Sequence, residues 1–222
     1  MNSQFGDLRL DKRLDRLTEQ LSAIPASNLP QALSTWASLK GGYRFVNNEN
    51  VTHAGIIELE RQATAQRVGA DNGEMVLAVQ DTTTFNFAKR ATLEGLGVLD
   101  DNRTPGFFAH STLAVSEQGV PLGLLGQQVW SRLPRQNRVK NAHQTKPITD
   151  KESFKWLASL HHLPTLAKRI VTVGDREADI YEVFQDSRNR AIDFVVRAGR
   201  NRRLEDAPLL RDQLGEISPA AQ

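Results

Sequence analysis

At Asp71-Asn72-Gly73 the hydrophobic pattern of this 222-residue chain changes period, and that switch constrains the fold more than any other feature. Before it, Leu10, Leu14, Leu17, Leu21 and Ile24 recur at alternating spacings of four and three. That is one stripe of an amphipathic helix, closed by Pro25. A second helix is expected from Pro30, a suitable first-turn residue, with Leu33, Trp36 and Ala37 on one face. It should stop at Gly41-Gly42, where glycine permits the left-handed turn that ends helices. A third starts near Asn50 or Thr52 as N-cap and carries Ile56, Ile57 and Ala63. Residues 1–68 therefore read as a small helical domain.

After the switch, Met75-Val76-Leu77-Ala78-Val79 is a continuous apolar run, as expected for a strand buried on both faces. Phe107 to Val115 and Val120 to Trp130 read as two more strands, joined by a Ser116-Glu117-Gln118-Gly119 turn. Trp156, Leu157, Leu160 and Leu163 mark a helix that Pro164 ends. Arg169 to Val173 is a fourth strand, Ile180 to Phe184 a helix, and Ala191 to Val196 a fifth strand. Three strands can meander antiparallel, and the last two can add in parallel through right-handed helical crossovers. This is the connectivity of a ribonuclease-H-like α/β core, expected over residues 74–203. Residues 204–222 read as a polar tail or the start of a further region.

Composition narrows the chemistry. The chain has no cysteine, which excludes disulfides, thiolate metal sites and cysteine nucleophiles. No apolar run approaches the ~20 residues that span a bilayer, and no secretory leader is visible, so a cytoplasmic, nucleoid-associated location is expected. The net charge of +2 is unevenly spread. Residues 1–60 are net −1 and residues 132–155 net +5, the latter in a Pro- and Asn-containing stretch that reads as a loop. Arg197, Arg200, Arg202 and Arg203 form a further cluster without an acid among them. Basic segments of this kind either neutralise phosphates or are simply solvated.

Two acids stand where chemistry would need them. Asp81 follows the first strand and Asp175 the fourth. The proposed topology makes those strands neighbours, so both carboxylates would meet at one end of the sheet. Paired carboxylates repel unless a cation joins them. All-oxygen ligands suit a hard ion, Mg2+ or Mn2+, of the kind used in phosphodiester cleavage. The alternative is that each acid caps a following helix. Thr82-Thr83-Thr84 supplies hydroxyls, or merely extends the strand as β-branched residues do. If a helix starts at once after Asp175, then Asp175, Asp179 and Glu182 share a face. Asp179 fits better as a partner for Arg176 or as a cap than as a metal ligand. His110 could approach the site, though a hydrogen-bonded structural histidine explains it equally.

Gln80-Asp81-Thr82-Thr83, Gly174-Asp175-Arg176-Glu177-Ala178-Asp179-Ile180-Tyr181 and Phe194-Val195-Val196-Arg197-Ala198 together resemble the DDE transposases of bacterial insertion sequences, in particular the Tn-five-like cut-and-paste type. Phe5-Gly6-Asp7-Leu8-Arg9, Gly42-Tyr43-Arg44-Phe45-Val46-Asn47-Asn48 and Lys155-Trp156-Leu157-Ala158 extend the resemblance over nearly the whole chain. It implies a helical end-binding domain before a ribonuclease-H-like core, double-stranded DNA (transposon ends and target) as partner, and a homodimer in the family, whose pairing region is expected to be missing here. It implies metal-dependent strand cleavage and transfer, with Asp81 and Asp175 as the first two catalytic, metal-binding acids. Arg9, Arg13, Tyr43, Arg44 and Arg176 would be DNA contacts.

The resemblance also implies a third carboxylate, a glutamate in a tyrosine–arginine–glutamate–lysine signature, which the sequence through Gln222 does not contain. Glu205 and Glu216 have no tyrosine nearby. The chain is therefore expected to be truncated relative to that family, with one sheet face left uncovered. Three functions remain open: a DDE transposase, a truncated remnant that at most binds DNA, and a metal-dependent nuclease that recruits its third acid differently.

Overall fold

The computed structural model describes residues 5–25, 27–90, 93–134, 146–204 and 209–216. The chain divides into two compact units, Met1–Ala63 and Thr64–Gln222. The first holds α1 (Leu8–Ala23), α2 (Leu29–Ala32), α3 (Trp36–Val46) and most of α4 (His53–Ala70).

Local chemistry sets each helix start. The Asp7 carboxylate accepts the Arg9 N–H at 2.8 Å and caps α1. Asn28 and Gln31 form a reciprocal capping box on α2. The Thr35 hydroxyl caps α3, and Thr52 accepts the Gly55 N–H at 3.1 Å to cap α4. The α1 stripe buries Leu17 against Phe5, Leu33 and Phe45, and Phe5 meets Phe45 edge-on at 5.8 Å.

The second helix differs from expectation. It breaks after Ala32 and restarts at Trp36, so Leu33 is buried while Trp36 is 76% exposed. Gly41-Gly42 does not end α3 but lies inside it. The reason is close approach: a Cβ on Gly41 would lie within 3 Å of the Arg13 guanidinium on α1, and one on Gly42 2.7 Å from Leu33 Cδ1. Gly42→Val should lower the stability of this unit by about 1–3 kcal/mol through overpacking. An unchanged melting profile would show that Leu33 gives way freely.

The second unit is built on a six-stranded sheet: β1 (Met75–Asn86), β2 (Gly97–Val98), β3 (Pro105–Ser116), β4 (Pro121–Trp130), β5 (Arg169–Gly174) and β6 (Asp193–Val196). The spatial order is β2-β3-β1-β5-β6, with β4 also pairing β3. β1, β3 and β4 are antiparallel, and β5 and β6 add in parallel, which is the expected connectivity. The two-residue β2 is an addition that the hydrophobic pattern does not show. α5 (Phe154–His161) and α6 (Tyr181–Asn189) provide the crossovers, and α7 (Leu210–Glu216) forms in the expected tail.

One face of the sheet carries the core. Val76, Ala78, Ala114 and Leu125 pack with Val68 of α4. Trp156, Leu157 and Leu160 of α5 pack with Ala178 and Val183. The other face holds Leu77 and Val79 half-buried and Val195 exposed. Among the described residues no helix is long and apolar enough to cross a membrane.

Candidate active site and nucleic-acid interface

β1 and β5 are parallel neighbours, with Val79 opposite Val173 as their last paired residues. Asp81 and Asp175 each lie two residues beyond that pair, on strands roughly 5 Å apart. Alternation places both on the same face. Gln80 and Thr82 bond to His110 on the α5 side, so Asp81 between them points the other way. Gly174 likewise faces α5, since a Cβ there would meet Ala178 Cβ at 2.6 Å and Trp156 Cζ3 at 3.1 Å. Asp175 therefore follows on the Asp81 face. Both are exposed.

Two details correct the expectation. Asp81 is not at the end of β1 but in its middle: Thr82, Thr83 and Thr84 continue the strand to Asn86, paired with β3. What ends near Asp81 is the pairing with β5, and that opens the edge. Asp175 also caps the 3-10 turn Arg176–Ala178 by accepting the Glu177 N–H at 2.8 Å. The capping alternative thus holds for one of its oxygens.

The helix after Asp175 does not start at once. The turn stops at Asp179, and α6 begins at Tyr181, so Asp175, Asp179 and Glu182 do not form one stripe. Asp179 is 5% exposed and holds the segment after β6. It accepts the Gly199 and Arg200 amides at 2.7 and 2.9 Å and a forked pair of bonds from Arg202. Its partner is Arg202, not Arg176. Burial opposes its charge, but these donors outweigh burial and keep the carboxyl below its ordinary range. Arg202, expected in a free basic cluster, is therefore committed to the fold.

His110 is fully buried and satisfied. Its Nδ1 meets Thr82 Oγ1 at 2.9 Å and its Nε2 meets Gln80 Oε1 at 3.1 Å, while Gln80 donates to Thr172 Oγ1 at 2.8 Å. It lies on the face opposite the aspartates and does not reach them. Burial, assisted by the Lys155 charge and opposed by Glu177, lowers its pKa from 6.5 to about 4. The unfolded chain then takes up this proton first as pH falls. Stability should be complete above pH ~6.5 and decline toward pH 4 by about 3 kcal/mol. Urea melts of wild type and His110→Gln at several pH values check this; parallel pH profiles would contradict it.

Oxygen donors on an exposed edge suit a hydrated hard cation. Such ions commonly use one or two carboxylates, with waters and substrate phosphates completing the shell. Asp81 and Asp175 fit that role. Among the described residues no group of three or more His, Cys, Asp or Glu is placed to hold a metal, so further ligands would come from outside these side chains.

The DNA contacts expected in the first unit fall on two helices. Tyr43 and Arg44 lie on the exposed face of α3, in a groove of about 660 Å³ shared with Trp36, Lys40, Asn47 and Asn48. Trp36, Lys40 and Asn47 are not among the DNA contacts expected from sequence. Their signal, recurrence at i, i+4 and i+11, runs through the two glycines that read as a helix end. Arg13 reaches α3 at Gly41, and Arg9, one turn earlier on α1, is exposed and paired with Asp7. Arg176 is exposed and lines a cavity on the α5 side of the sheet. Of the basic loop, Arg135, Arg138 and Lys140 lie outside the described residues. Arg132 is paired with Asp100 and Glu152, and Lys155 with Glu177 at 2.9 Å.

Residues 1–51 match the family model described as Transposase DNA-binding. The match covers most of the unit that carries the α3 groove, including all of that groove. Among solved structures, the Mos1 transposase paired-end complex with left transposon end aligns at 9% identity over 83% of this chain. The chain spans 58% of the length of that protein, and the TM-score is 0.29, too low to inform fold or function.

Proposed function

We propose that the chain is a transposase of the DDE type, with a ribonuclease-H-like second unit and a first unit that binds transposon-end duplex. The observation that carries this reading is the register of β1 and β5, parallel neighbours on which Asp81 and Asp175 each stand two residues beyond the Val79–Val173 pair. It gains weight from the Transposase DNA-binding match over residues 1–51. Magnesium or manganese, when bound, would activate water and offset charge on the leaving oxygen. Asp81 and Asp175 would hold that ion. On the first unit, Tyr43 offers an aromatic face and Lys40 and Arg44 offer phosphate contacts, with Arg9 and Arg13 flanking them on α1. Such contacts explain how a segment of net −1 still binds DNA, since the relevant charge is confined to one surface. The proposed setting is the nucleoid.

The binding half is tested with labelled DNA from either side of the coding sequence. Arg44→Ala should weaken binding about tenfold and flatten its salt dependence by about one unit of slope. Tyr43→Ala should cost a similar factor with little change in slope. Wild-type affinity equal to that for unrelated duplex would overturn end recognition. A DNA-binding protein that does not cut is the second reading, favoured by the grouping of two acids rather than three among the described residues. Specific binding without any magnesium-dependent cleavage would select it.

A further inference from the structure

On the α5 side of the sheet, a buried histidine lies behind the strand that carries Asp81. The pairing of β1 with β5 ends at Val79, and from there to Asn86 β1 pairs, among the described residues, only with β3. Asp81 therefore stands on a stretch of strand held along one edge. A cation shared between two carboxylates needs them placed to within about 0.5 Å. The second support for β1 comes from the opposite face.

Gln80 and Thr82, the residues on either side of Asp81, both bond to the imidazole of His110 on β3. Thr82 Oγ1 lies 2.9 Å from Nδ1, and Gln80 Oε1 lies 3.1 Å from Nε2. Gln80 also donates through Nε2 to Thr172 Oγ1 on β5 at 2.8 Å, and the Thr172 hydroxyl is aimed at the Ala78 carbonyl. The donors thus run in one direction. With its amide N–H committed to Thr172, Gln80 offers His110 an oxygen, so Nε2 carries the imidazole proton. A neutral imidazole has one donor and one acceptor, which leaves Nδ1 to accept the Thr82 hydroxyl. Gln80, His110 and Thr172 are all buried, and Trp156 packs edge-on against the ring at 4.6 Å. Bonds made in such surroundings hold their geometry against competing water.

We propose that His110, in its Nε2–H form, is the positioning residue of the carboxylate edge, setting Asp81 against Asp175 through its bonds to Gln80 and Thr82. It touches neither aspartate and acts through β1. This role rests on the reading of Asp81 and Asp175 as holders of a divalent ion. What it adds is a buried bridge across β3, β1 and β5 that replaces the pairing lost where β5 turns away.

The test uses the full chain and Mn2+ alone, titrated by the electron paramagnetic resonance of the free ion, with a melting curve for every protein. Asp81→Asn should remove the site. His110→Asn, too short to reach both partners, should weaken Mn2+ binding about tenfold, the lower end of what supporting groups behind metal ligands contribute. Thr82→Val keeps the shape of the strand, deletes one of the two bonds, and should weaken binding by a smaller factor; it decides the matter if the asparagine protein does not fold. Val68→Ala, in the core against Val76 and Ala78, should lower the melting temperature and leave Mn2+ affinity unchanged. Nitrogen-15 NMR of histidine-labelled protein should show His110 protonated at Nε2. Loss of the ion in Asp81→Asn, with wild-type affinity in both His110→Asn and Thr82→Val, would overturn the positioning role and leave the metal reading intact. Equal weakening in Val68→Ala and His110→Asn would reduce the effect to general stability and overturn it too. A ring protonated at Nδ1 would overturn the assigned form. Wild-type Mn2+ affinity in Asp81→Asn would remove the metal reading, and the role of His110 with it.

Discussion

Trp156→Ala should destabilise the sheet-containing unit by about 3–5 kcal/mol, the cost of removing a large buried aromatic side chain. The side chain is 2% exposed, and its six-membered ring lies against Gly174 while its indole meets the His110 imidazole edge-on at 4.6 Å. It also joins Leu157 and Leu160 to Ala178 and Val183, locking α5 onto the turn that presents Asp175. The void could not collapse without moving β5. Water admitted to it would also relieve the desolvation of His110 and return that imidazole toward its ordinary pKa. Chemical denaturation would therefore show both a lower midpoint and a weaker dependence on pH between 4 and 6.5. Trp156→Phe should retain most of the stability. A loss below about 1 kcal/mol in the alanine protein would mean that the contact between α5 and β5 is not the organising feature of this unit.

The second large effect concerns chemistry. Asp81→Asn and Asp175→Asn should each reduce magnesium-dependent DNA cleavage about a thousandfold or more, because members of a cooperating catalytic set fail together. The double variant should lose little beyond either single one. Stability should scarcely change in Asp81→Asn, which is exposed and mid-strand. Asp175→Asn retains an oxygen able to accept the Glu177 N–H, so its turn should survive. Cleavage that persists in either variant would remove that residue from the catalytic edge. Binding of end DNA should be nearly unaffected in both, since the α3 groove belongs to the other unit.

Much of this was legible in the chain. A five-residue apolar run reads as a strand, although Met75, Leu77 and Val79 are only half-buried and the expected burial of both faces does not hold; the order of strands and helices leaves few right-handed connections. Hence the juxtaposition of Asp81 and Asp175 follows from pattern alone. The departures share a cause: a residue type with two physical uses. Gly41 and Gly42 can end a helix or admit a neighbour, and only the Arg13 and Leu33 side chains from other elements decide between them. Thr82–Thr84 can flank a strand or prolong it, and the pairing with β3 decides. Asp179 finds its partner in Arg202, more than twenty residues away, rather than in the adjacent Arg176. Both basic segments of the chain contribute to the cavity on the α5 side of the sheet, but Arg132, Lys151, Trp156 and Arg200 meet only once the sheet is assembled.

The central claim is most directly tested by incubating the full chain with DNA from each side of its coding sequence, with and without magnesium, and mapping protection and strand breaks on one gel. The account predicts a sequence-selective footprint that depends on Tyr43 and Arg44. It also predicts a magnesium-dependent break beside that footprint that depends on Asp81 and Asp175. Uniform, non-selective protection with no break in any fragment would contradict it.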